Sequence, residues 1–173
     1  RESAMSFMTP PDLDMKHLWA KGGKLIVMQG AADPVFSVAD TINWYDELDD
    51  RYKHRRTDFV RLFIVPGMGH CSGGPACDQF DLVDALVKWV EQGIAPDAII
   101  AKARGTGANV VNTEVPVTWA ADRTRLLCPY PEVAKYHRGP VDDAASFKCV
   151  LNHGRHDDND HDCGAFEGRD IQR

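Results

Sequence analysis

The chain has 173 residues, a formal net charge of -6 and 43% hydrophobic residues, enough apolar material for one packed core. No apolar run approaches the length of a membrane-spanning helix, and Lys and Arg are mixed with Asp and Glu along most of the chain, so neither membrane nor nucleic acid is expected as a partner. The one strong basic cluster, Lys53-His54-Arg55-Arg56, sits between two patterned segments and reads as a solvated loop.

Thr9-Pro10-Pro11-Asp12 reads as a turn into a short amphipathic segment ending near Ala20, with Asp12 as N-cap and Gly22-Gly23 as stop. Residues 24–29 form a short, branched, apolar run bounded by glycines, the pattern of a buried strand. Gly30-Ala31-Ala32-Asp33-Pro34 breaks it. Val38, Ile42, Tyr45, Leu48 and Tyr52 then recur at spacings of three and four, as on one helical face. Residues 59–65 are a second buried-strand run, ended by Pro66-Gly67-Met68-Gly69-His70. A second helix is expected from Asp78, with Leu82, Val83, Leu86, Trp89 and Val90 on one face and Gly93 as its stop. Residues 98–104 suggest an edge strand and 115–127 one or two more; a proline-rich loop follows from Cys128-Pro129-Tyr130-Pro131 to Cys149. From Asn152 on the chain is rich in His, Asp, Asn and Gly and is expected to be a disordered acidic tail.

Strand, turn, helix, repeated, is the pattern of an α/β fold with parallel strands and crossover helices, whose chemistry gathers beyond the carboxyl ends of the strands. Asp33 follows the first strand and His70 the second. An acid followed in chain order by a histidine matches the α/β-hydrolase arrangement, in which the nucleophilic serine comes earlier. Singly, the aspartate reads equally well as a turn former and the histidine as a surface residue. At consecutive strand ends they read together as a catalytic acid and base.

The five cysteines, Cys71, Cys77, Cys128, Cys149 and Cys163, contain no paired zinc motif. In the tail, His153, His156, His161, Cys163 and four aspartates do not satisfy the calcium-loop template; a solvated acidic segment is expected ahead of a loose transition-metal site, and no cofactor is expected.

The wording of the motifs adds to this. Residues 22–27, Gly30-Ala31-Ala32-Asp33-Pro34, Val65-Pro66-Gly67-Met68-Gly69-His70-Cys71, Gly73-Gly74-Pro75, Leu127-Cys128-Pro129-Tyr130-Pro131 and residues 142–149 resemble the tannase and feruloyl esterase family. The likeness covers nearly everything from about Ser3 to Val150. It implies that Asp33 is the triad acid and His70 the triad base. It also implies that Cys71 bonds to a cysteine preceding the nucleophilic serine, and that Cys128 and Cys149 form a second disulfide. A loop of about twenty residues closed in that way contributes ~3 kcal/mol. Cys77 has no counterpart in the pattern; a free thiol and a bond to Cys163 both remain open.

No Gly-x-Ser-x-Gly elbow occurs in the chain. Ser72 follows His70 too closely to serve as its nucleophile, and Ser37 lacks the strand-to-helix turn. The family's serine, oxyanion hole and lid all lie upstream of the matching segment. The expectation is therefore an incomplete α/β-hydrolase, with residues 1–150 as the C-terminal part of the catalytic domain and 151–173 as a tail. A start at Arg1 without a signal-peptide pattern fits a partial chain. The resemblance implies a secreted or periplasmic serine esterase whose substrate is an ester of an aromatic acid. Its partner would be the N-terminal part of the same polypeptide. A non-catalytic interaction module, half of a two-chain assembly, or another α/β-hydrolase remain as alternatives.

Overall fold

Two strands form the centre of the fold. In the computed structural model, which describes residues 13–152, β1 (Leu25–Gly30) and β2 (Val60–Val65) pair in parallel, from Leu25 opposite Val60 to Gly30 opposite Val65. Successive strand residues face opposite ways, and both faces are apolar here. Val60 and Leu62, with Leu25 and Val27 beside them, join one core cluster; Phe63 and Val65, with Ile26 and Met28, join a second. A strand buried on both faces reads as a continuous apolar run, which is why both were visible in the sequence.

Helix α1 (Lys16–Ala20) leads into β1. Its N-cap is Met15, without a side-chain cap; the Met15 amide instead donates to the Tyr52 hydroxyl at 2.6 Å. Asp12, the expected cap, lies outside the described residues. Helix α2 (Val38–Arg51) links β1 to β2 and starts at Ser37, whose side chain accepts from the Asp40 amide. Tyr45 and Leu48 are fully buried against Val60 and Leu62, as the helical spacing requires. Helix α3 (Leu82–Gln92) packs on the other side: Leu82 and Ala85 join the Phe63 cluster, and buried Trp89 lies beneath the cations of Lys24 and Arg61.

Several expectations need correction. Arg56 is buried rather than solvated: it donates to the Tyr45 carbonyl at 2.9 Å and to Asp46 at 2.8 Å, and lies over the Tyr45 ring. Helix α3 starts after Asp81, which accepts from the Asp84 amide, because the Asp78 carboxylate is bound elsewhere. Leu82 and Trp89 do face inward, but Val83 and Val90 are 73% and 55% exposed, so the expected apolar face divides into two.

The parallel pattern also stops at β2. After α3 the chain forms β3 (Ile99–Lys102), which pairs antiparallel with β4 (Thr124–Leu127) in a separate two-stranded sheet. Residues 115–123 add no strand. The expected proline-rich loop is largely another antiparallel pair, β5 (Glu132–Tyr136) with β6 (Phe147–Leu151). This region is fastened to the centre where Tyr130 donates its amide to the Leu62 carbonyl at 2.8 Å, beside a Phe63–Pro129 bridge.

Cys128 and Cys149 are bonded, with Cα atoms 5.5 Å apart and 21 residues of separation. The bridge ties the end of β4 to the middle of β6. Reduction, or the double change Cys128→Ser and Cys149→Ser, is expected to lower unfolding stability by about 3 kcal/mol, the loop-closure value for this separation. Urea titration of oxidised and reduced protein checks this; a difference well under about 1 kcal/mol would show that β5 and β6 hold without it.

Candidate functional site

Parallel strands that end level deliver their following loops to one edge. The loop after β1 begins with Ala31, whose amide donates to the Val65 carbonyl at 3.0 Å; the Ala32 amide donates to the Met68 carbonyl at 3.0 Å. Gly30 makes this approach possible. A Cβ there would stand 2.3 Å from the Gly69 carbonyl oxygen and 2.4 Å from that of Met68, so only glycine fits.

The two loops place Asp33 and His70 in contact, Oδ2 to Nδ1 at 2.9 Å. The Asp33 side chain is 4% exposed and that of His70 45%. Burial alone would raise the Asp33 pKa. It is outweighed by hydrogen bonds from His70, from the Val35 and Phe36 amides and from Gln29, which bring it down to about 2. Asp33 is therefore ionised at neutral pH and can only accept, so the shared proton belongs to Nδ1 of His70. That leaves Nε2 with a free lone pair, able to take a proton and return it. The Phe36 ring lies 5.4 Å from the imidazole at 45°.

The histidine loop is held from its far side. Gly73 donates its amide to Asp78 at 2.8 Å, and Gly74 donates to Glu114 at 2.7 Å. Asn112 donates its side-chain amide to the Gly74 carbonyl at 2.8 Å. The Asp78 side chain is fully buried and receives both Nε and a terminal nitrogen of Arg104. Burial opposes its charge, but Arg104 and the Gly73 amide hold its pKa below the ordinary carboxylate value. Gly74, at φ +72°, has no room for a Cβ, which would lie 2.1 Å from the Gly67 carbonyl oxygen.

Of the residues singled out in the sequence, Asp33 and His70 are brought together, and Cys128 and Cys149 are bonded. Cys71 is an exposed thiol at φ +64°, the left-handed region that a non-glycine residue seldom occupies. Cys77 is free and buried, its thiol pKa raised by that burial. Cys163 and the tail histidines lie outside the described residues, and among the described residues no cluster of His, Cys, Asp or Glu could hold a metal. Ser37 caps α2, and Ser146 is buried near Gly139.

Sequence reasoning passed over Gln29, Arg104, Asn112 and Glu114, and took Asp78 for a helix start. The Arg104–Asp78 pair spans 26 residues and the Glu114–Gly74 contact 40, so no local spacing announces them. A groove of about 570 Å³ lies elsewhere, between Ile64, Leu127, Tyr130, Val133 and Phe147; neither Asp33 nor His70 lines it.

Residues 2–150 match the family model described as tannase and feruloyl esterase, and the chain belongs to that family. It is 40% identical over 150 residues to mono(2-hydroxyethyl) terephthalate hydrolase of Piscinibacter sakaiensis, covering 86% of this chain and 23% of the relative. It is 32% identical over 147 residues to a probable feruloyl esterase of Arthroderma benhamiae, covering 83% and 26%. Its fold resembles the crystal structure of an esterase from Aspergillus oryzae, with a TM-score of 0.66, 27% identity, and 80% of this chain set against 29% of that one. The chain thus spans about a quarter of the length of these relatives.

Two outcomes follow from the geometry. The Asp33 pKa is depressed from 3.8 to about 2, so its stabilising effect is complete above pH 4 and is lost as pH falls through 2. Asp33→Asn is expected to flatten stability between pH 4 and 2, read from thermal melts across that range; an unchanged slope would show that the carboxylate contributes nothing there. Arg104→Ala strands a buried carboxylate and is expected to cost about 3 kcal/mol or more in urea unfolding. A loss below about 1 kcal/mol would mean that water replaces the guanidinium.

Proposed function

We propose that this chain supplies the acid and base of a serine carboxylic-ester hydrolase, as the C-terminal part of an α/β-hydrolase domain. The observation that carries the reading is the Asp33–His70 pair. A buried ionised carboxylate holds the imidazole in one tautomer, at the shared carboxyl edge of two parallel strands. A serine upstream in the polypeptide would attack the ester carbonyl. His70 Nε2 would take the serine proton, then return it to the leaving alcohol, while Asp33 stabilises the imidazolium formed in between.

The substrate we propose is an ester of an aromatic acid. Support comes from relatives named for feruloyl and terephthalate esters. Cys71 would bond to a cysteine beside that serine and so fix the distance between nucleophile and base. Its exposure and strained backbone, next to His70, fit such a bridge. With Cys128–Cys149 formed, an oxidising compartment such as the periplasm or the extracellular space is the natural setting.

A second reading, an interaction module or one half of a two-chain assembly, draws on different features. Among the described residues the outer edge of β1 has no strand partner, and Val83, Val87, Val90 and Ile94 are exposed. These features equally fit a surface covered by the remainder of the same domain.

The experiment compares the 173-residue chain with a longer polypeptide that includes the upstream region, using methyl ferulate, methyl gallate and mono(2-hydroxyethyl) terephthalate. The longer protein is expected to hydrolyse at least one, and His70→Ala to lower its kcat by about 10⁴-fold or more. The short chain is expected to show negligible turnover. Robust hydrolysis by the short chain that His70→Ala abolishes would place the nucleophile within it and overturn the proposal.

A further inference from the structure

The Asp33 carboxylate has about four acceptor positions, and four donors fill them. Oδ1 receives the Val35 amide at 2.8 Å and the Phe36 amide at 3.1 Å. Oδ2 receives His70 Nδ1 at 2.9 Å and the Gln29 side-chain nitrogen at 3.0 Å. Three of these donors come from the acid's own turn or from the histidine it serves. Gln29 is different. It belongs to β1, where strand pairing sets it opposite Ile64, so its backbone is fixed independently of both loops.

A glutamine amide can turn over and present its oxygen instead, which would set an acceptor against a carboxylate. The acceptors around its nitrogen prevent this: besides Asp33 Oδ2, the Gly30 and Phe36 carbonyls, each at 3.4 Å, can meet only the N–H end of the amide. Thr41, one turn into α2, then donates its hydroxyl to Gln29 Oε1 at 3.3 Å and anchors the other end. Donation therefore runs in one direction, from Thr41 to Gln29 to Asp33, and meets His70 on the same oxygen. Without the amide, Oδ2 is held by the histidine alone and the carboxylate is pinned only at Oδ1, so its Oδ2 end can shift and the imidazole with it.

We propose that Gln29, anchored by Thr41, is a positioning residue that holds the Oδ2 end of the Asp33 carboxylate where it keeps His70 as its Nδ1–H tautomer. This deepens the esterase reading and rests on it for its catalytic meaning, but the geometry is testable without any ester. Gln29→Met keeps the length and removes the donor. Thr41→Val keeps the shape and removes the hydroxyl that anchors the amide oxygen.

The probe is the ring-nitrogen NMR spectrum of His70 in the 173-residue chain, with the backbone amide spectrum as the measure of fold. The parent is expected to show a single Nδ1–H tautomer with a slowly exchanging proton. In Gln29→Met that proton is expected to exchange about tenfold faster and the Nε2–H tautomer to appear, with amide signals distant from residues 29–41 and 65–72 unmoved. Thr41→Val is expected to shift both readouts in the same direction by less, and it serves alone if Gln29→Met does not fold. Exchange within twofold of the parent and an unchanged tautomer, in whichever variant folds, would overturn the proposal.

In the longer protein, Gln29→Met is expected to lower kcat about tenfold at unchanged KM. An effect confined to KM would assign Gln29 to substrate binding and overturn the positioning role. If the tautomer responds as stated but the longer protein hydrolyses no ester, the esterase reading fails and the positioning role stands.

Discussion

Parallel pairing of β1 with β2, in the register that sets Gly30 opposite Val65, is the constraint on which the site depends. It ends both strands at one level, and the missing side chain at Gly30 lets the first loop lie against the carbonyls of Met68 and Gly69. Ala31 and Ala32 then donate across to the second strand and its loop, carrying the pairing one step past the sheet. Asp33 and His70 meet because that contact exists. A side chain at position 30 would force the loops apart by more than a hydrogen bond tolerates.

Two buried carboxylates divide the work of holding this edge. Asp33 faces the histidine and is satisfied by amides, by a side-chain amide and by the imidazole itself. Asp78 is satisfied by Arg104 and Gly73 and keeps the histidine loop closed from behind. Both stay ionised despite burial because their acceptors are filled, since an unfilled buried carboxylate takes up a proton instead. One acid is therefore available to the imidazole, and the other to the backbone that carries it.

The core supports this arrangement from both sides. Tyr45 and Leu48 of α2 pack on one face of β2, and Leu82 and Ala85 of α3 on the cluster at the other. The disulfide and the Tyr130 contact fasten the C-terminal strands along the second strand, leaving the carboxyl edge open where His70 is half exposed.

Much of this was legible in the residues. The two buried strands, the Val38-to-Tyr52 helix, the stop at Gly93 and the pairing of an acid with a histidine at neighbouring strand ends follow from apolar period, turn chemistry and chain order. Each element is written in its own run of consecutive residues, and the acid and histidine meet because their two runs become neighbouring strands. The antiparallel pairs after α3 were not legible, because β3 has no partner until β4, some twenty residues on, and β5 and β6 looked like a proline-rich loop. Arg56 looked like a surface cation because nothing nearby in sequence shows that Tyr45 and Asp46 will receive it.

The sequence by itself determined which segments become strands and helices, and that an aspartate and a histidine leave the same edge. Tertiary structure alone decided which donors complete each carboxylate: Gln29 for Asp33, Arg104 and Gly73 for Asp78, and the Gly74 amide for Glu114. Periodicity is a property of adjacent residues. The partner of a buried charge is settled only when distant segments pack and water is excluded from the space between them.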